Sequence, residues 1–235
     1  MLRVRRDAEI YRAEGGWFTA RWHFSFDRYR DPVNMGWGPL RVFNDDRLVP
    51  GAVWPLHPHR DIEGLTYVVE GTFRHEDDQG GDGVLPAGSV QRMTLGSGAW
   101  HSEQNASETD PMRFIQMWIL PNERGLPPSL EQKVFTQDDR TDRLLEVFSP
   151  DGGDSVMVHR DVWVHVARLT PGTEVKHGFE GGRGRGAYLY VIEGSATVND
   201  ETLGTGDAAK IRDEAALRLA AEATTELILV DVPVD

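Results

Sequence analysis

Four residues of this 235-residue chain have the types and spacing for metal chemistry. His57 and His59 stand two apart at the head of HPHRDIEGLTYVVEG, residues 57–71, and His101 and Glu103 stand two apart in WHSE, residues 100–103. Alternate residues of a β-strand face the same side, so each pair can present both side chains to one space. Two such strands laid side by side would converge three imidazoles and one carboxylate, a donor set suited to one divalent transition metal. Iron, nickel, copper, cobalt, manganese and zinc all accept such donors, and a metal taking five or six ligands keeps positions open for water, substrate or O2. A lone His-x-His reads more readily as a solvated strand end. The second pair, which follows the glycine-bracketed run from Pro86-Ala87-Gly88 to Gly96-Ser97-Gly98, is what favours the metal.

The elements that must carry these residues are strands. Apolar, β-branched and aromatic runs recur between Gly, Pro, Asn and Asp: FTARWHFSF, LTYVVEG, VMVH, VWVHVARL, AYLYVIEG and TELILVDV. Helical patterns are few. SLEQKVF (129–135) and DEAALRLAAEA (213–223) are candidates, the second more consistent with a strand at its start. Tyr67-Val68-Val69-Glu70-Gly71 matches Tyr190-Val191-Ile192-Glu193-Gly194, and each is followed by a polar strand and a glycine turn. A repeat longer than a hundred residues is too long for a solenoid and predicts two copies of one antiparallel β-barrel.

The other histidines call for structural readings. His75 opens a turn toward Gly80-Gly81 and is expected to be exposed. His23 lies in an aromatic strand and is expected to be structural. His159 and His165 show no carboxylate at ligand spacing. His177, in KHGFEGG, stands where the second copy's His-x-His would fall, but Phe179 takes the place of its partner and residues 207–230 hold no histidine. The second copy is therefore expected to lack a metal. Trp54, Trp100, Met112, Phe114 and Trp118 read as core or as the wall of an aromatic pocket, with core the default.

Composition narrows the function classes. With 25 Lys+Arg against 38 Asp+Glu the net charge is −13, unfavourable for phosphate backbones and anionic membranes, so no direct nucleic-acid or membrane partner is expected. No secretory h-region and no membrane-length apolar run are seen. The absence of cysteine removes disulfides and thiolate ligands and fits a cytoplasmic protein; a monomer is expected.

The segment HPHRDIEGLTYVVEGTFRHEDDQGGDGVLPAGSVQRMTLGSGAWHSEQN, residues 57–105, resembles the two halves of the cupin signature, with Asn105 four residues after His101. Together with HFSFDRYRDP (23–32), MGWGPLRVFNDD (35–46) and QMWILPNERGLPPSLEQ (116–132), it resembles the pirin family, nearest to bacterial pirin-like quercetin 2,3-dioxygenases. The resemblance implies an all-β bicupin: an N-terminal jelly-roll barrel over 1–135 with the metal site, and a C-terminal one over 136–235 without it. It implies His57, His59, His101 and Glu103 as ligands of one metal, iron foremost, with Glu103 also the catalytic base. Glu63 is expected beside the site or in a strand-end ion pair. The implied reaction opens a flavonol-like aromatic substrate with O2 and releases CO. The alternative implied by the family is a metal-bound redox sensor acting on a protein partner, and a Lewis-acid isomerase is a third reading.

Overall fold

The computed structural model describes residues 1–179 and 184–234. Among the described residues the regular secondary structure is strand apart from two short 3-10 turns, and the chain forms two compact units. One comprises Tyr11–Phe135 and Val156–Arg160. The other comprises Met1–Ile10, Thr136–Ser155 and Asp161–Asp235.

Twelve strands lead through the first half of the sequence: β1 (Leu2–Arg5), β2 (Tyr11–Glu14), β3 (Phe18–Trp22), β4 (Leu40–Leu48), β5 (Val53–His59), β6 (Glu63–Glu70), β7 (Thr72–Asp77), β8 (Asp82–Pro86), β9 (Ser89–Thr94), β10 (Ala99–Asn105), β11 (Met112–Ile119) and β12 (Ser129–Val134). In the unit that carries the His-x-His motif, a large sheet runs β12-β9-β6-β11-β4-β3-β2 and a small one β5-β10-β7-β8. Alternation sends Leu48, Val68, Met112 and Phe114 from the large sheet against Phe73, Leu85 and Trp54 from the small one. The cupin units are thus jelly rolls of two facing sheets, open at their edges rather than closed into barrels.

The other unit repeats the plan. Ala208–Arg212, Arg185–Glu193, Thr225–Pro233 and Trp163–Leu169 lie side by side in its seven-stranded large sheet, flanked by β1 on one side and by Leu145–Ser149 and Val156–Met157 on the other, and Glu174–Gly178, Ala216–Ala221, Ser195–Val198 and Glu201–Gly204 form its small one. The two matched pentapeptides end equivalent strands. Gly71 and Gly194 both have positive φ (79° and 94°), and a Cβ on either would meet a backbone carbonyl, Pro111 O at 2.5 Å or Thr224 O at 2.3 Å, so no other residue fits. The following turns close alike: Gly88 N donates to Val68 O and Gly206 N to Val191 O, each at 2.8 Å.

Two segments depart from the sequence reading. SLEQKVF is not helical: Ser129–Val134 pairs with β9 along its length, because an open sheet edge outweighs helix propensity over so short a run. The first ten residues are not part of the unit that follows them in sequence. β1 pairs with Ala208–Arg212, and Arg6 Nη1 and the Asp7 amide both donate to the Asp207 carboxylate at 2.8 Å. The expected strand start in 213–223 is present, with Leu217, Leu219 and Ala221 buried at every second position of Ala216–Ala221. Among the described residues no helix is long and apolar enough to cross a membrane.

Candidate metal centre

β5 is an edge strand, where Pro55 and Pro58 can be accommodated. It pairs with β10 in the register Ala99↔His59, Trp100↔Pro58 and His101↔His57, then shifts so that Glu103 faces Trp54 instead of Pro55. The extra residue on β5 is a bulge, which re-aims side chains. Trp54, His57 and His59 turn inward and are partly buried, while Val53, Pro55, Leu56 and Pro58 stay exposed.

Three imidazoles meet at this place. One ligand-type nitrogen from each of His57, His59 and His101 lies within 4.8 Å of the other two. His57 Nδ1 is 2.7 Å from the Pro55 carbonyl oxygen. A carbonyl only accepts, so Nδ1 carries the proton and Nε2 the lone pair. His101 is 2% exposed, and both its ring nitrogens are buried without a hydrogen-bond partner among the described residues. Such orphaned atoms fit a site built for a metal ion. Burial, reinforced by the neighbouring imidazoles, lowers the pKa of His59 to about 4 and that of His101 to about 2. Both are neutral at pH 7, the state that ligation requires.

Glu103 is 6% exposed and lies outside the three-imidazole cluster. Gln116 Nε2 donates to its Oε1 at 3.0 Å, and Thr66 Oγ1 donates to Gln116 Oε1 at 2.7 Å, so the carboxylate is held from behind. Burial raises its pKa to about 7 against the opposing effect of the Gln116 hydrogen bond. Glu103, His57 and His59 line a pocket with Phe26, Asn44, Asp46, Trp54, Phe114, Gln116 and Trp118, enclosing ≈390 Å³ of free space with its open mouth included. The Trp118 ring stands 4.6 Å from that of His59. Burial, with the charges of Asp45 and Glu103, holds the Asp46 carboxyl well above the ordinary carboxylate range.

The remaining sequence candidates sort differently. His75 is not an exposed turn residue: it is fully buried on β7, Gln91 Nε2 donates to its Nδ1 at 3.1 Å, and its Nε2 donates to Asp77 Oδ2 at 2.9 Å. Both nitrogens are thus engaged, although the ring lies 5.5 Å from that of His101. The alternation Phe73-x-His75-x-Asp77 was the overlooked signal. His159 does have a carboxylate partner. Its amide donates to Glu63 Oε2 at 2.8 Å, and its Nδ1 lies 2.7 Å from Glu63 Oε1, which also accepts from Thr94 Oγ1 at 2.7 Å. Glu63 is fully buried in this arrangement, away from the imidazole cluster. His23 is buried with its ring against Phe43. His177 is hydrogen-bonded to Asp231 at 2.8 Å and its ring lies 5.0 Å from that of His165; Glu180, Gly181 and Gly182 of the same motif lie outside the described residues. Of the five apolar candidates, Trp54, Phe114 and Trp118 line the pocket, Met112 is core, and Trp100 is 46% exposed on the outer face. Asn44, Asp46 and Gln116 had no signal in spacing alone.

The family model described as Pirin matches residues 3–119, and a pirin-like protein of Caulobacter vibrioides is 40% identical over 221 residues, 93% of this chain and 94% of its own. The chain belongs to the pirin family. A second family model, the quercetinase C-terminal cupin domain, matches residues 146–232 of this pirin. The quercetin 2,3-dioxygenase of Escherichia coli K12 is 38% identical to it over 235 residues, 99% of each chain. The crystal structure of the E. coli pirin YhhW in complex with nickel(II) superposes on it with a TM-score of 0.93 at 36% identity over all of both chains.

Proposed function

We propose that this pirin is a metal-dependent dioxygenase that opens the ring of quercetin-like flavonols with O2 and releases CO. The observation that carries the proposal is the orphaned, buried His101 beside His57 and His59, in an aromatic-walled pocket that also holds a buried carboxylate. The three imidazoles would hold the ion, and Glu103, outside their cluster but lining the same pocket, would have to close on it to act as the fourth donor; nickel, present in the related E. coli structure, joins iron as a candidate. A divalent transition metal there supplies Lewis acidity toward a ligating hydroxyl and a path for electrons to O2.

The protein's own groups do the rest. Glu103 takes the proton of the flavonol 3-hydroxyl and so makes the ring electron-rich toward O2. Gln116 keeps the carboxylate aimed while it does so. Trp54, Phe114, Trp118 and Phe26 present ring faces and edges to a flat substrate and keep water from it. The names of the related quercetin dioxygenases support the reaction class. The test is metal-replete protein supplied with a panel of flavonols, following O2 uptake and CO release together. Stoichiometric consumption and release are expected; no turnover of any flavonol by fully metallated protein overturns the proposal.

A further inference from the structure

Two polar side chains in the pocket have no role in holding a metal or moving the 3-hydroxyl proton. Asn44 and Asp46 stand two apart on β4 and so share a face. The intervening Asp45 points the other way, where Arg113 grips it with two hydrogen bonds of 2.7 Å. Asn44 is 3% and Asp46 5% exposed, and both line the pocket. Their nearest β11 neighbours in register are Gln116 and Phe114. Asn44 Oδ1 and Asp46 Oδ1 are both buried without a hydrogen-bond partner among the described residues. Next on the same face comes Leu48, in the apolar core, so the two polar residues end where the pocket ends.

Buried polar atoms in native folds are paired, and those that are not point to a missing partner. A molecule bound in the pocket can supply that partner, because both residues line it. The Gln116 amide donates to Glu103 and accepts from Thr66, and the proton on His57 goes to Pro55. Facing walls are aromatic.

Resting on the dioxygenase reading, we propose that Asn44 and Asp46 form a hydroxyl-reading wall that selects a polyhydroxylated aromatic substrate by hydrogen-bonding aryl O–H groups remote from the reacting one. A hydroxyl both donates and accepts, so it satisfies a side-chain oxygen and a neighbouring amide alike. An aryl ring without hydroxyls leaves both oxygens buried and unpaired, and a methyl ether removes the donor while adding bulk. Sites built to bond a hydroxyl discriminate strongly against analogues that lack it.

The experiment compares quercetin with 3-hydroxyflavone, which keeps the 3-hydroxyl and lacks the others. Binding to metal-replete protein is measured without O2 by quenching of tryptophan fluorescence, and turnover is measured separately with O2. Wild type is expected to bind quercetin about tenfold or more tightly than 3-hydroxyflavone, and Asn44→Leu or Asp46→Leu to reduce that preference to about twofold or less. Asp46→Asn, which keeps the shape and a hydrogen-bonding head, is expected to retain most of the preference and guards against misfolding of the leucine variants. Equal binding of the two compounds by wild type, or an undiminished preference in both leucine variants, overturns the hydroxyl-reading wall while leaving the dioxygenase reading intact if both compounds are turned over. Preferential binding of quercetin without O2 uptake has the reverse meaning: the wall stands and the dioxygenase reading falls.

Discussion

Glu63 and His159, 96 residues apart, are joined twice: the His159 amide and its Nδ1 each meet a different oxygen of the fully buried Glu63 carboxylate, at 2.8 and 2.7 Å. The Asn122 amide donates to the His159 carbonyl at 2.8 Å, and Arg92 Nε donates to Met157 O at 3.0 Å, so Val156–Arg160 is held at several points. Glu63 thus has a structural role although it lies four residues after His59. Glu63→Ala is expected to lower stability by about 2 kcal/mol or more, since it orphans buried donors. Metal per folded chain should stay at the wild-type level. Denaturant unfolding and elemental analysis check the two halves, and loss of metal from a folded Glu63→Ala protein would make Glu63 a ligand.

Metal content should follow the imidazole cluster. One ion per chain is expected, lost from His101→Ala, because removing one of three imidazoles costs a donor and the geometry of the others. His177→Ala, at a residue hydrogen-bonded to Asp231, should retain the full content. Two ions in wild type, or full occupancy in His101→Ala, would contradict the site.

Glu103→Gln separates enzyme from sensor. The amide cannot take the 3-hydroxyl proton, so turnover should fall by about 10²–10⁴-fold while the fold and much of the metal persist. O2 uptake on a flavonol measures this. An undiminished rate with metal still bound would remove Glu103 from the chemistry.

Acid should destabilise the metal-free protein through its buried histidines. His59 and His165 have pKa values of about 4, in both cases chiefly through burial, whereas an unfolded histidine titrates near 6.5. Between those values the unfolded chain binds protons that the folded one refuses, so stability falls as pH drops from about 6.5 to about 4. Glu103 acts in the opposite direction: its raised pKa costs stability as pH climbs from about 4.5 to about 7. Urea midpoints of metal-free protein at pH 6.5, 5.5 and 4.5 should show the net trend. In His165→Phe the acid-side slope should shrink, and an unchanged slope would count against a neutral, buried His165.

Much of the architecture was already readable from local pattern. The matching apolar runs in Glu63–Glu70 and Arg185–Glu193, buried almost throughout and ended by Gly71 and Gly194 where only glycine fits, mark two copies of one sandwich. Alternation also put His57 and His59 on one face, and His101 and Glu103 on another. These features depend on neighbours within a few residues, whose geometry the chain dictates directly.

Tertiary structure decided what lies across strands. Only pairing of β5 with β10 set His101 opposite His57, and only the bulge at Pro55 and Leu56 turned Trp54 into the pocket. His75, read as a turn residue, became a buried and fully bonded side chain because β7 runs to Asp77. β1 pairs with Ala208–Arg212, more than two hundred residues away, and the His159–Glu63 pair joins residues with no shared motif. Asn44 and Asp46 look like any polar pair in VFNDD until β11 and β5 enclose them. The physical reason is the same in each case: a side chain's partners, its burial and the pKa that follows from them come from segments distant in sequence, brought together by sheet pairing and packing.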